Sequence, residues 1–314
     1  MTFTKTVKNE LVTVPTVHKE MLAEFAAFLN LACEFQIVNN NKIIEFQTKN
    51  PTVTKRFLML SKTLYDTETE LLQKEQENFS KKPLIVLRLI KNVEEIINEH
   101  DYLGDPIENI RLITYSELTK IAFLRGAFLV SGSVNHPKTS EYHLEIYANK
   151  QEEIILIQTL MNYFNLNARI TKRRKGYIAY LKDAESISDF IKLIGAYNAV
   201  FKFEDIRIKR DFNNSINRII NCEIANEKKT FKASEEHLKN INIIRKHLLF
   251  NELDDKIVKV IELREKYPEA NLSELTNYYE IEYDEKISRS GINHRLNKVK
   301  ELASNYKEDK IKWF

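Results

Sequence analysis

Glycine is scarce in this 314-residue chain: there are six, about 2% where a globular protein has roughly 7%. Phosphate-cradling loops of the G-x-G-x-x-G and G-x-x-x-x-G-K-[ST] kinds need clustered glycines, and neither pattern occurs. Cys33 and Cys222 are the only cysteines, too few for a disulfide framework or a cysteine-based zinc knuckle. The seven histidines contain no H-E-x-x-H and no zinc-like spacing with cysteine. No run of 18 apolar residues exists, and the opening segment Met1 to Lys8 has no apolar signal core. The composition predicts a cytoplasmic protein with no membrane contact, no metal and no cofactor.

What is present is a large core and a divided charge. Hydrophobic residues make up 43% and charged residues 30%, which fits about two folded domains. Net charge is only +3, so composition alone names no partner. The distribution says more. Asp66 to Glu77 carries five acids (Asp66, Glu68, Glu70, Glu75, Glu77) and one base. Leu166 to Lys182 carries Arg169, Lys172, Arg173, Arg174, Lys175 and Lys182 and no acid, and Lys286 to Lys300 is again basic and acid-free. One such run reads equally well as a solvated face; two in a near-neutral chain suggest a polyanion partner.

The element pattern repeats itself. An apolar helix at 20–33 leads into Glu34–Val38, an Asn39–Asn41 turn and Ile43–Gln47, an alternating pattern that predicts a hairpin. A helix at 52–64 behind Pro51, strands at 67–74 and 83–90, and a helix at 92–100 complete the unit. A second helix at 116–130, capped by Ser116, starts the same order again. Its first hairpin is Ser133–His136 and Tyr142–Tyr147, turning at Pro137-Lys138, and a helix at 151–164 follows. The second hairpin is Ala168–Arg174 and Tyr177–Leu181, with Gly176 in its turn, and a helix at 185–194 ends at Gly195. The reading is α+β: two αββαββα repeats, about 1–105 and 112–200, offset by about 100 residues. Two or three helices are expected over 198–250, with 201–251 as a helical connector and 252–314 as an all-α domain.

The second long helix carries Leu124-Arg125-Gly126-Ala127-Phe128-Leu129-Val130-Ser131-Gly132-Ser133, which resembles the LAGLIDADG signature of homing endonucleases; its counterpart is Phe25 to Cys33. Ala23, Ala27, Ala122 and Gly126 supply small residues at i, i+4, as two closely crossing helices require. In that family each motif helix delivers one acid to shared divalent metals. Here those positions are Ala32 and Ser131, and neither can replace a carboxylate. Glu34 lies two residues past the first and has no symmetric partner.

A longer resemblance covers nearly the whole chain. Phe123 to Lys138, Tyr142–Glu145, Ile194–Ala199, Asn214–Asn226 and Ile287–Leu296 resemble the WhiA family of bacterial regulators, as do Phe3, Val7, Lys8, Glu10 and Leu11. The resemblance implies a degenerate, pseudo-two-fold homing-endonuclease fold joined to a DNA-binding helix-turn-helix. It also implies control of division or sporulation genes, or of chromosome segregation, by a nucleoid-associated protein.

The C-terminal residues support a helix-turn-helix, about Leu272 to Asn305, without that resemblance. Asp254 can cap a helix bearing Ile257, Val258, Ile261 and Leu263; Asn271 and Glu274 form a capping-box pattern ahead of Leu272, Leu275 and Tyr279. Ser288 can cap a third helix on which Ile292, Leu296, Val299 and Ala303 form one apolar stripe. The other face carries Ser290, Asn293, His294, Asn297 and Lys298, flanked by Arg289 and Arg295. Asparagine suits an adenine edge in the major groove of double-stranded DNA, and the cations suit phosphates. A solvated amphipathic helix is the plainer alternative. Arg169, Lys172, Arg173, Arg174 and Lys175 are possible secondary contacts. Asn214, Asn217, Arg218 and Asn221 form a polar stripe that either bonds inside the fold, the favoured reading, or meets DNA. The rival readings are an active metal-dependent endonuclease using Glu34, and a scaffold that binds proteins through the ancestral saddle.

Overall fold

The computed structural model describes residues 2–38, 40–74, 84–247 and 253–308, the side chains of 73–74 and 307–308 excepted. Asn39, Glu75, Glu77, Pro83 and the junction at 248–252 lie outside the described residues. The chain divides into two compact units, 1–211 and 212–314.

In the first unit, α2 (His18–Ala32) is followed by the hairpin β1 (Cys33–Val38) and β2 (Asn41–Thr48). Then come α3 (Pro51–Tyr65), β3 (Thr69–Lys74), β4 (Leu84–Leu89) and α4 (Val93–Glu99). The second repeat runs α6 (Glu117–Ser131), β5 (Gly132–Val134), β6 (Leu144–Ala148), α7 (Gln151–Tyr163), β7 (Arg169–Arg173), β8 (Gly176–Leu181) and α8 (Ala184–Leu193). Each repeat closes an antiparallel four-stranded sheet, in the orders β1-β2-β4-β3 and β5-β6-β8-β7. The expected internal repeat is thus present, with a shorter β5–β6 pair than the sequence pattern suggests.

The two motif helices pack directly on each other. Ala23, Ala27, Ala122 and Ala127 are fully buried. A Cβ on Gly126 would stand 2.5 Å from the Glu24 carbonyl oxygen and 2.9 Å from the Ala27 Cβ. Glycine here is a packing requirement of the crossing. Beside it lies an ion cluster. Arg56 Nε and Nη2 each donate to the Glu24 carboxylate at 2.7 Å, and Arg125 Nη1 reaches it at 3.4 Å. Arg56 also donates to the carbonyls of Val12 and Val14, fastening the segment ahead of α2. Phenylalanines fill the space behind: Phe46 and Phe57 stack at 4.4 Å, with Phe25 and Phe28 against Phe57.

Two helices of this unit were not expected. α1 (Phe3–Leu11) buries Phe3, Val7 and Leu11, and Thr4 Oγ1 donates to the Val134 carbonyl and accepts from its N–H. α5 (Pro106–Ile113) fills what reads as a loop after Gly104 and starts on Asp105, whose carboxylate accepts from the Glu108 N–H.

One helix, α9 (Tyr197–His247), stands where two or three were expected, and the unit boundary falls within it. Glu10 caps its first turn, accepting from the N–H groups of Asn198 (2.7 Å) and Ala199 (2.9 Å). Asn214, Asn217, Arg218 and Asn221 are all exposed, so the favoured interior role for them does not hold.

The second unit adds α10 (Asp255–Lys266), α11 (Leu272–Tyr283) and α12 (Arg289–Glu308). Val260, Leu263, Leu275, Tyr279, Ile292 and Leu296 form one apolar cluster among these three helices. A second cluster joins Ile241 and Ile244 of α9 to Ile261, Val299 and Ala303.

Candidate nucleic-acid interface

The second unit presents α12 through two capped starts. Asn271 Oδ1 accepts from the N–H groups of Ser273 and Glu274 at 2.9 Å, and Glu274 returns a carboxylate oxygen to the Asn271 N–H at 2.8 Å. α11 ends at Asp284 in the left-handed region (φ 52°). Four residues later Ser288 Oγ accepts from the Gly291 N–H at 3.1 Å and starts α12. Ile292, Leu296, Val299 and Ala303 then go into the core, each at most 1% exposed.

Seven of the eight singled-out residues reach solvent: Ser288, Arg289, Ser290, Asn293, His294, Asn297 and Lys298 are exposed. Arg295 is different. It is half-buried, and its Nη1 donates back to the Gly291 carbonyl at 3.0 Å. A Cβ on Gly291 would press on Ile287 Cγ1 (3.1 Å), Arg295 Nη1 (3.2 Å) and Ser288 Oγ (3.3 Å), so this glycine makes room for the folded-back arginine. Lys298 pairs with Glu301 at 3.0 Å in an exposed i, i+3 bridge, an attraction weak enough for a phosphate to displace. Arg289 has no ion-pair partner among the described residues and is the freer cation.

The first unit offers a second surface of unequal halves. Cross-strand register puts Glu34, Glu45, Arg88 and Glu70 in one row across the first sheet. The matching row of the second sheet is Ser133, Glu145, Tyr180 and Arg169. Three acids and one base thus face one acid and one base. Arg169, Lys172, Arg173, Arg174 and Lys175 are all exposed, with Arg169 and Arg173 on the face of that row by strand alternation and Lys172 on the other. Glu145 is partnered there: His143 Nε2 stands 2.9 Å and Arg173 Nη2 3.3 Å from its carboxylate. Burial raises this carboxyl, but His143 and Arg173 outweigh it and leave it below the usual carboxylate range. His143 also stacks on Tyr180, over which Lys182 lies. This constellation was not expected, though the His143-x-Glu145 spacing brings both side chains to one side of the chain as it enters β6.

At the degenerate motif positions, Ala32 ends α2 and Ser131 ends α6, where the serine hydroxyl donates to the Ala127 carbonyl at 3.3 Å. A methyl and a helix-bonded hydroxyl do not fit a hard divalent cation, which takes charged oxygen ligands. Glu34 is exposed on β1 opposite Glu45, which is bound to Arg88 at 2.8 Å. Among the described residues, no group of three His, Cys, Asp or Glu could hold a metal ion.

Family models match three stretches: the WhiA N-terminal LAGLIDADG-like domain at 18–101, the WhiA LAGLIDADG-like domain at 120–213, and the WhiA C-terminal HTH domain at 216–303. The chain belongs to the WhiA family. It is 39% identical over 311 residues to a probable cell division protein WhiA of Enterococcus faecalis, covering 98% of this chain and 99% of that one. It is 41% identical over 306 residues to that of Ligilactobacillus salivarius, covering 96% of each. A crystal structure of full-length DUF199/WhiA from Thermatoga maritima superposes with a TM-score of 0.60 at 23% identity, covering 97% of this chain and 99% of that one. The N-terminal LAGLIDADG domain of DUF199/WhiA matches at 26% identity and a TM-score of 0.50, covering 62% of this chain and 90% of that one. The WhiA assignment makes the helix-turn-helix and the LAGLIDADG-like repeats parts of one known architecture. No helix among the described residues is long and apolar enough to cross a membrane.

Proposed function

We propose that this WhiA-family chain is a sequence-directed binder of double-stranded DNA that regulates cell division or chromosome segregation without cutting the duplex. The observation that carries the reading is the exposed face of α12, with Asn293, His294 and Asn297 beside Arg289 and Lys298, on a helix whose opposite stripe is fully buried. Asparagines in the first turns of a recognition helix suit base edges, while the cations fix register on phosphates. In the first unit, any DNA contact falls to the basic second sheet, because the acidic row of the first repels a phosphate backbone. Nuclease chemistry is set aside on the donor set: Ala32 and Ser131 offer no anionic ligand. The family's naming as a cell division protein supports the biological setting, and a regulator of this kind works at the nucleoid.

The test is binding of the full chain to duplexes selected from a random pool. Asn293→Ala is expected to reduce discrimination between selected and random duplexes by about 1–3 kcal/mol. Arg289→Ala is expected to weaken both about equally and lower the salt slope by about one. Equal affinity for selected and random duplexes in the unsubstituted chain would sink the sequence-directed reading. Cutting of the duplex with Mg²⁺, lost in Glu34→Gln, would replace it with the nuclease.

A further inference from the structure

Within the second unit, a cleft of about 570 Å³ opens between the later part of α9, the start of α11 and the first turns of α12. On α9, Asn226, Thr230, Ala233 and His237 line it at i, i+4, i+7 and i+11, one helical stripe with an alanine leaving space. Lys229 and Arg264 add positive charge, and Arg289 with Asn293 closes the α12 side. No carboxylate lines the cleft. Glu274, the acid at the start of α11, is turned onto the Asn271 N–H, and Glu236 is held by Lys300 at 2.7 Å.

Arg264 is the unusual member. It is 2% exposed, and its Nη1 is fixed on the carbonyls of Tyr267, Pro268 and Ala270. Its Nε has no hydrogen-bond partner, nor does buried His237 Nδ1 in the same lining. A buried guanidinium with no carboxylate beside it carries an uncompensated charge, which an anion would neutralise. Lys229 and Arg289 have no ion-pair partner among the described residues. Three cations with amide and hydroxyl donors suit a tetrahedral oxyanion bound by charge-assisted hydrogen bonds.

We infer that this cleft seats a phosphate group, so that α9, through Lys229, Asn226 and Thr230, forms a second wall of the nucleic-acid interface facing α12. Arg289 and Asn293 are shared between the seat and the proposed reading helix, which places a backbone phosphate of bound duplex in the cleft. That source rests on the DNA-binding reading. A free phosphorylated anion would use the same donors without it, and would tie α9 to α12 in the absence of DNA.

The experiment uses the full chain and a long random-sequence duplex, with fluorescence anisotropy from about 50 to 200 mM KCl. Lys229→Ala is expected to lose about three- to tenfold in affinity and to lower the salt slope by about 0.9. Asn226→Asp, which brings a carboxylate into the cleft, is expected to lose more. Lys298→Ala, on α12 but outside the cleft, reports on the reading itself. If it weakens binding while Lys229→Ala and Asn226→Asp do not, and pyrophosphate is also without effect, the seat is wrong and the helix-turn-helix reading stands. If the unsubstituted chain binds no duplex, the reading fails and the seat is judged by pyrophosphate alone. A rise in melting temperature with pyrophosphate, absent with chloride at equal ionic strength and absent in Lys229→Ala, assigns the seat to a free anion. No rise, where duplex binding is absent or unmoved by Lys229→Ala and Asn226→Asp, overturns the seat.

Discussion

His100 shows how burial sets one residue's chemistry. It is 3% exposed, its Nε2 lies 2.8 Å from the Tyr65 hydroxyl, and its Nδ1 has no partner. Tyr65 Oη donates to Glu99 at 2.6 Å, so it accepts from His100 Nε2–H. Burial lowers the histidine's pKa from 6.5 to about 4. The unfolded chain then binds a proton that the native state refuses. Stability is full above about pH 6.5 and falls as pH drops towards 4, by about 3 kcal/mol for this group. Urea unfolding across that range checks it: His100→Phe is expected to flatten the acid limb, and an unchanged limb would assign the loss elsewhere.

Among the elements, the α2–α6 crossing is the joint of the first unit, and Glu24 is its buried charge. Removing that carboxylate leaves the Arg56 and Arg125 guanidiniums without their shared anion. Glu24→Gln is therefore expected to cost about 3–5 kcal/mol, read by chemical denaturation; a loss under about 1 kcal/mol would mean that the arginines find other partners. The small-residue spacing of this crossing was legible in sequence, because Ala and Gly at i, i+4 have a direct geometric meaning. Glu24 was not, since its partners lie 32 and 101 residues away. α1 and α5 carried local signals that short length obscured: Phe3, Val7 and Leu11 at i, i+4, i+8, and Asp105-Pro106 as a helix start. The continuity of α9 had a signal in an absence, for residues 197–247 contain no glycine and no proline. The exposed polar face of α12, opposite its buried stripe, was legible almost entirely from periodicity. The folding back of Arg295 was not, because it depends on which rotamer the space above Gly291 admits.

On the scale of the molecule, two LAGLIDADG-like repeats meet at one close helix crossing, with Ala32 and Ser131 at the ends of the crossing helices. Their two sheet faces differ in charge, while α12 of the second unit presents an exposed face of asparagines and cations. The central claim is that the side chains of α12 direct this chain to particular duplex sequences. The most direct measurement is genome-wide DNA occupancy of the intact protein in its own cells, beside Arg289→Ala/Asn293→Ala/Asn297→Ala at equal abundance. Discrete sites sharing a sequence, abolished in the triple variant, are the predicted result. An unchanged profile in the variant, or no enriched sites for the intact chain, would contradict it.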